Sequence, residues 1–195
     1  TVPDSNHNEI AKDFTFSVNP DNSTLDVDDA ETVYGRSVEV NVIYGGATGI
    51  AAEIDGKNLS VKGNMIVIPD DLDAGEYKLT VTTVPDSNHE AVSKQATVTV
   101  NKMETEILAQ NIKTTYNVDR KLTITLKDSE NKAIAGEKIT VNINGEKTYT
   151  TDKNGQVQIS TKGLASDTYQ AKIAFDGSAN YKNSAKNISI TVKKA

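Results

Sequence analysis

Apolar residues along this chain fall on every second position in short bursts. In the first half the bursts are Val38, Val40 and Val42; Leu59 and Val61; Met65 and Val67; Tyr77, Leu79 and Val81; and Ala96, Val98 and Val100. The second half answers with Leu122, Ile124 and Leu126; Ile139, Val141 and Ile143; Val157 and Ile159; Tyr169, Ala171 and Ile173; and Ile188, Ile190 and Val192. A period of two belongs to strands with one buried face. No comparable stretch shows the three-and-four spacing of an amphipathic helix. Between the bursts stand Gly45-Gly46, Asp55-Gly56, Lys62-Gly63-Asn64, Asn144-Gly145 and Asn154-Gly155. Such pairs supply the positive φ angles of tight hairpins, so the pattern predicts an all-β chain of short strands.

The bursts also repeat. Residues 1–19 align without gaps on residues 83–101 with 11 of 19 pairs identical, and residues 77–100 align on 169–192 with Tyr77 on Tyr169, Asn88 on Asn180 and Val100 on Val192. One closing motif therefore ends three units, the mark of a tandem array. The expected division is a trailing strand of a preceding repeat at 1–19, one domain at 20–102 and a second at 103–195. Because the chain opens inside a repeated motif, it is expected to be a piece of a longer array. Phe14, Phe16 and Val18 fall on Ala96, Val98 and Val100. If this segment is ordered, it is expected to pair with a sheet edge, of its own chain or a neighbour's, with both phenylalanines covered. Lys102, Met103 and Glu104 alone separate the two domains, too few for a flexible tether, which predicts a semi-rigid rod.

About seven short strands per unit, parted by such turns, is the immunoglobulin-like pattern. The expected fold is two tandem immunoglobulin-like β-sandwiches preceded by the closing strand of a preceding repeat. Residues 72–77 and 164–169 each lead into a strand that begins with tyrosine. Tyr77 and Tyr169 are therefore expected to form tyrosine corners, with rings in the core and hydroxyls bonded to backbone near Leu72 and Leu164.

In the second unit, the strings TTYNVDRKLTITLKDSENKAIAGEKITVNINGEKTYTTDKNGQVQIS, YQAKIAFDGSANY and ISITVKK resemble the immunoglobulin-like repeats of adhesin-like surface proteins of methanogenic archaea. Residues 126–139 and 150–157 are similar, more distantly, to bacterial invasin and intimin domains. The likeness covers nearly the whole chain and is looser in the first unit, where ATGIAAEIDGKNLSV replaces the longer turn. It implies a sandwich fold, extracellular display on a cell surface, and a scaffolding or adhesive role.

Composition narrows the chemistry. The 195 residues carry a net charge of −6, no cysteine and no tryptophan. The negative balance repels phosphate backbones, so nucleic acid is not an expected partner. Without cysteine there is no disulfide, thiolate chemistry or thiolate zinc site. The apolar runs fall far short of the roughly 20 residues of a membrane helix. The two histidines, His7 and His89, occupy one place in two copies of the closing motif, and Tyr181 takes it in the third. A base that a sister repeat replaces with tyrosine reads as packing material, and no catalytic or phosphate-binding motif accompanies it. No catalytic residue and no cofactor is expected.

Calcium is the chemical alternative, through Asp26, Asp28, Asp29 and Glu31 or through Asp70, Asp71 and Asp73, although neither group has the spacing of an EF-hand loop. A Lys–Asn cross-link would need both groups in the core, whereas Lys127, Asn142 and Asn187 sit on the polar beat or at strand ends. Asn22, Asn58 and Asn187 begin N-glycosylation sequons. The leading reading is a monomeric, non-catalytic stalk or adhesive segment that meets a protein or glycan on another cell. Its rivals are a direct glycan- or protein-binding module, with Tyr149, Phe175 and Tyr181 as contact residues, and an accessory domain of a secreted polysaccharide-active enzyme.

Overall fold

The period-two bursts become strands because alternation lets each present one apolar face, and two such faces closed on each other make a core. The computed structural model describes residues 4–8 and 10–195. In its first part the strands are β1 (Asp21–Asn22), β2 (Thr24–Val27), β3 (Ala30–Val33), β4 (Val38–Gly45), β5 (Gly49–Ile54), β6 (Lys57–Asn58), β7 (Ser60–Lys62), β8 (Met65–Ile68), β9 (Gly75–Val84), β10 (His89–Glu90) and β11 (Ser93–Asn101). One sheet has the order β2-β4-β8-β7 and the facing sheet β3-β11-β9-β5-β6. The β3–β11 pair is parallel, and the short β1 pairs in parallel with β10.

The second part repeats the plan with β12 (Thr105–Leu108), β13 (Ile112–Thr115), β14 (Lys121–Asp128), β15 (Lys138–Asn142), β16 (Glu146–Thr150), β17 (Gln156–Ser160), β18 (Thr168–Phe175) and β19 (Ser184–Lys193). Its sheets are β12-β14-β17 and β13-β19-β18-β15-β16, again with a parallel β13–β19 pair. These are two tandem immunoglobulin-like β-sandwiches.

Each sandwich has its own core. Val40, Val42, Ile54, Ile66, Ile68, Leu79, Val81 and Val98 are among the residues that fill the first, and Leu122, Ile124, Leu126, Ile139, Ile173, Phe175 and Ile190 the second. One inward beat differs from the sequence reading. Met65 and Val67 were expected inside, but Ile66 and Ile68 are fully buried while Met65 and Val67 are partly exposed. The run Met-Ile-Val-Ile is apolar throughout, so its own pattern cannot choose a face. Pairing of Ile66 with Val40 across β4 sets the register.

The hairpin pair Asp55-Gly56 has φ of 46° and 75°, the double positive φ of a tight two-residue turn between β5 and β6. The expected closing strand at Phe14, Phe16 and Val18 has no sheet partner in this chain among the described residues. Phe14 and Phe16 are 78% and 88% exposed. The place of a closing strand, between β9 and β3, is already filled by β11, which leaves the segment no ladder there. Residues 1–3 and 9 of the expected trailing segment lie outside the described residues.

Candidate functional site

The features that set this chain apart from two independent sandwiches gather where they meet. The link leaves β11 after Asn101 and is stitched onto the second sandwich at once. Met103 N donates to the Asn180 carbonyl at 2.9 Å, and Lys182 N donates to the Met103 carbonyl at 2.8 Å, so Met103 pairs in parallel with Tyr181. The Met103 side chain is 3% exposed, and the Ser129 hydroxyl donates to its Sδ at 3.0 Å. Glu104 accepts Ser129 N through its carbonyl at 3.0 Å and Lys182 Nζ through its carboxylate at 2.6 Å. Lys102 Nζ donates to the Ser178 carbonyl at 2.7 Å.

Across the joint, Asn180 is held at both ends of its amide. Its Oδ1 accepts Ala74 N at 2.8 Å and its Nδ2 donates to Asp73 Oδ1 at 2.8 Å. Beside it the Tyr34 and Tyr181 rings meet edge to face, centroids 5.5 Å apart and planes at 79°. Tyr34 stands in a turn in which Arg36 N donates to the Val33 carbonyl and Gly35 takes a φ of 80°. Positive φ at the third residue of such a turn favours glycine or asparagine. Arg36 Nε reaches Glu130 Oε1 at 2.7 Å, with both side chains about half exposed. The turn bearing Glu130 is fixed by buried Asp128, whose Oδ1 accepts Glu130 N and Lys132 N.

Magnitudes rank these contacts. A hydrogen bond nets about 1 kcal/mol, and an edge-to-face ring pair about 0.5–1.5 kcal/mol beyond its burial. An ion pair as open as Arg36–Glu130 adds little. Asn180 and the tyrosine pair therefore dominate, and they fix orientation. Burial, with smaller contributions from Tyr34, Asp128 and Glu137, pushes the Tyr181 hydroxyl above its ordinary pKa.

The residues singled out in the sequence are placed as follows. The Tyr77 hydroxyl donates to the Asp73 carbonyl at 2.8 Å and the Tyr169 hydroxyl to the Ala165 carbonyl at 3.2 Å. Both rings are half-buried against their cores and not enclosed in them, because each lies at the sheet end where its corner loop starts. The Asp26 carboxylate pairs with Lys94, which holds its pKa below the usual range. Asp29 accepts Thr97 N at 2.6 Å, and Glu31 accepts Asn101 Nδ2 at 2.5 Å. Asp28 is exposed beside them, as are Asp70's neighbours Asp71 and Asp73 on the corner loop, where Asp73 faces Asn180. Among the described residues no three of His, Cys, Asp and Glu gather as a metal site.

His7 and His89 sit in matching turns: Asp4 and Asp86 each accept the histidine N and Nδ1. Asn22, Asn58 and Asn187 are all exposed. Of the proposed contact aromatics, Phe175 is in the core, Tyr149 is half-buried against it and Tyr181 is engaged in the joint. Tyr34, Met103 and the role of Asn180 were missed. A methionine inside a three-residue polar link was a readable signal for one of them.

No family model and no curated protein matches the chain. Solved structures do. The titin domains Z1Z2, in complex with telethonin, align at TM-score 0.51 and 9% identity over 91% of this chain and 99% of theirs. The titin tandem A164-A165 gives 0.37 and 8% over 90% and 98%, and the Escherichia coli adhesin FdeC 0.38 and 17% over 91% and 66%. At 9% identity the Z1Z2 likeness shows the fold alone, a tandem of immunoglobulin-like sandwiches. Among the described residues no helix is long and apolar enough to cross a membrane.

Proposed function

We propose that this chain is a non-catalytic segment of an extracellular cell-surface protein, in which tandem immunoglobulin-like units serve as a semi-rigid stalk or adhesive module. The units run over 20–102 and 103–195, with 1–19 the trailing strand of a preceding repeat. The resemblance to archaeal adhesin-like repeats supports the cell-surface setting. The observation that carries the reading is the two-ended grip of Asn180 on Asp73 and Ala74, since a spacer needs its units fixed relative to one another. Strands of six to eight residues at about 3.3 Å each, plus end loops, give a unit length of roughly 35–45 Å.

Residual dipolar couplings on the full chain test this. One alignment tensor shared by both sandwiches is the expected result. Two independent tensors would overturn the spacer reading, because the units would then move as beads on a string.

A further inference from the structure

The two sandwiches carry the same pair of ends, and the chain joins one end of each. The receiving end is the turn that holds Tyr34, and the second sandwich repeats it. Tyr34 N donates to the Asn101 carbonyl at 2.8 Å and Tyr116 N to the Lys193 carbonyl at 2.8 Å. Arg36 N donates to the Val33 carbonyl at 3.0 Å and Val118 N to the Thr115 carbonyl at 3.1 Å. Gly35 and Asn117 both take positive φ, 80° and 65°.

The inserting end is the turn that holds Asn180 and Tyr181, and the first sandwich repeats that. Asp21 N donates to the Asn88 carbonyl at 2.9 Å, as Met103 N does to that of Asn180. Asp21 pairs in parallel with His89, as Met103 does with Tyr181. His89 is locked in place, its Nδ1 on Asp86 and its ring so close over Gly46 that a Cβ there would lie 2.6 Å from Cδ2.

What differs is cover. Tyr34 is half-buried under Tyr181, whereas Tyr116 is 50% and Val118 52% exposed. The Asn180 amide is used at both ends, whereas Asn88 is exposed and its side chain makes no hydrogen bond among the described residues. A half-exposed tyrosine on an ordered turn, two residues from a half-exposed valine, is an interface half without its partner.

We propose that the turn formed by Tyr116, Asn117 and Val118 is a docking face for a further sandwich of the same repeat type, joined in line and presenting an Asn–Tyr turn like that of Asn180 and Tyr181. The inference rests on the stalk reading and extends it: the joint is a reusable contact by which units propagate. Two substitutions set its character. Ala165 stands where Asp73 does, so the incoming asparagine loses the acceptor for its Nδ2 and keeps the backbone N–H of Ser166, the counterpart of Ala74. Val118 replaces Arg36, so the rim contact is apolar and less dependent on salt.

The test appends a second copy of residues 102–195 directly after Lys193 of the full chain, the copy carrying Tyr116→Phe so that only the native Tyr116 is read. Tyrosine nitration followed by peptide mass spectrometry then reports each ring. In the original chain Tyr116 should react and Tyr34 should resist. In the extended chain Tyr116 should become protected by about tenfold, the scale of one ring pair with one hydrogen bond. Asn180→Ala with Tyr181→Ala in the appended copy should restore its reactivity. Tyr116 staying reactive while Tyr34 is protected would overturn this proposal and leave the stalk standing. Tyr34 reacting freely in the original chain would instead overturn the stalk reading beneath it.

Discussion

Tyr181 is the residue whose chemistry is most tied to the joint. Its hydroxyl is pushed up by burial first, then by Tyr34, Asp128 and Glu137. A phenol raised in the folded state contributes fully below the unfolded value, about 10, and that contribution is lost as pH rises through the higher folded value. Thermal midpoints measured from pH 7 to above 11 should therefore fall less steeply for Tyr181→Phe than for the parent chain. Identical slopes would mean the hydroxyl is solvated. Tyr77 shifts the same way, through burial, Asp73 and Asp55, and remains as a background in both proteins. Tyr77 also permits a direct measurement. Tyr77→Phe removes the 2.8 Å bond to the Asp73 carbonyl and should lower unfolding stability in urea by about 1 kcal/mol. Tyr169→Phe, losing a bond of 3.2 Å, should lower it by less. Equal stability of Tyr77→Phe and the parent chain would show that water replaces the bond at no cost. The corner tyrosines were legible because a loop followed by Tyr recurs in both units. Their partial exposure was not, since a sequence shows which residue starts a strand but not how far its ring reaches past the sheet edge.

At the scale of the element, alternation decided most strands and failed where it had nothing to alternate with. Leu122, Ile124 and Leu126 stand between polar residues and lie inside. β8 is apolar at every position, and its face is chosen by β4, a contact remote in sequence. The energetic consequence is direct. Ile66→Ala leaves a cavity in a closed core and should cost about 2–5 kcal/mol, whereas Met65→Ala, half-open to solvent, should cost much less. Comparable losses by chemical denaturation would restore the opposite register. Position 175 makes a related point. Its counterpart by repeat alignment is Thr83, buried like Phe175, and the Thr83 hydroxyl accepts Val92 N at 2.8 Å. One unit fills the site with a ring and the other with a satisfied hydroxyl. Reading Phe175 as a surface contact overlooked that the sister position was already a core one. The joint was half legible: a three-residue link predicts stiffness, but the side chains that supply it come from loops about 70 to 110 residues apart.

For the whole molecule, the question is whether two cores separated by a link behave as one mechanical body. Each core is closed on its own, so each sandwich has an unfolding transition of its own, and the joint adds a coupling that exists only while both are folded. That coupling therefore belongs to whichever sandwich unfolds first: its transition is raised by the joint, and the later one melts after the joint is gone. Asp73 and Asn180 lie in different sandwiches and share one bond. If they acted only within their own units, Asp73→Ala and Asn180→Ala would shift different transitions. As partners in the joint they should both lower the earlier transition and leave the later one in place. A loss near 1 kcal/mol corresponds to roughly 4–8 °C for a sandwich of this size. Because Asn180 also holds Ala74 N, Asn180→Ala should be the larger of the two. The double substitution should add little to it, since the shared bond can be lost once. Scanning calorimetry of the parent chain, the two single variants and the double variant gives all four numbers. Shifts that fall on separate transitions and add in the double variant would show two independent units held only by their link.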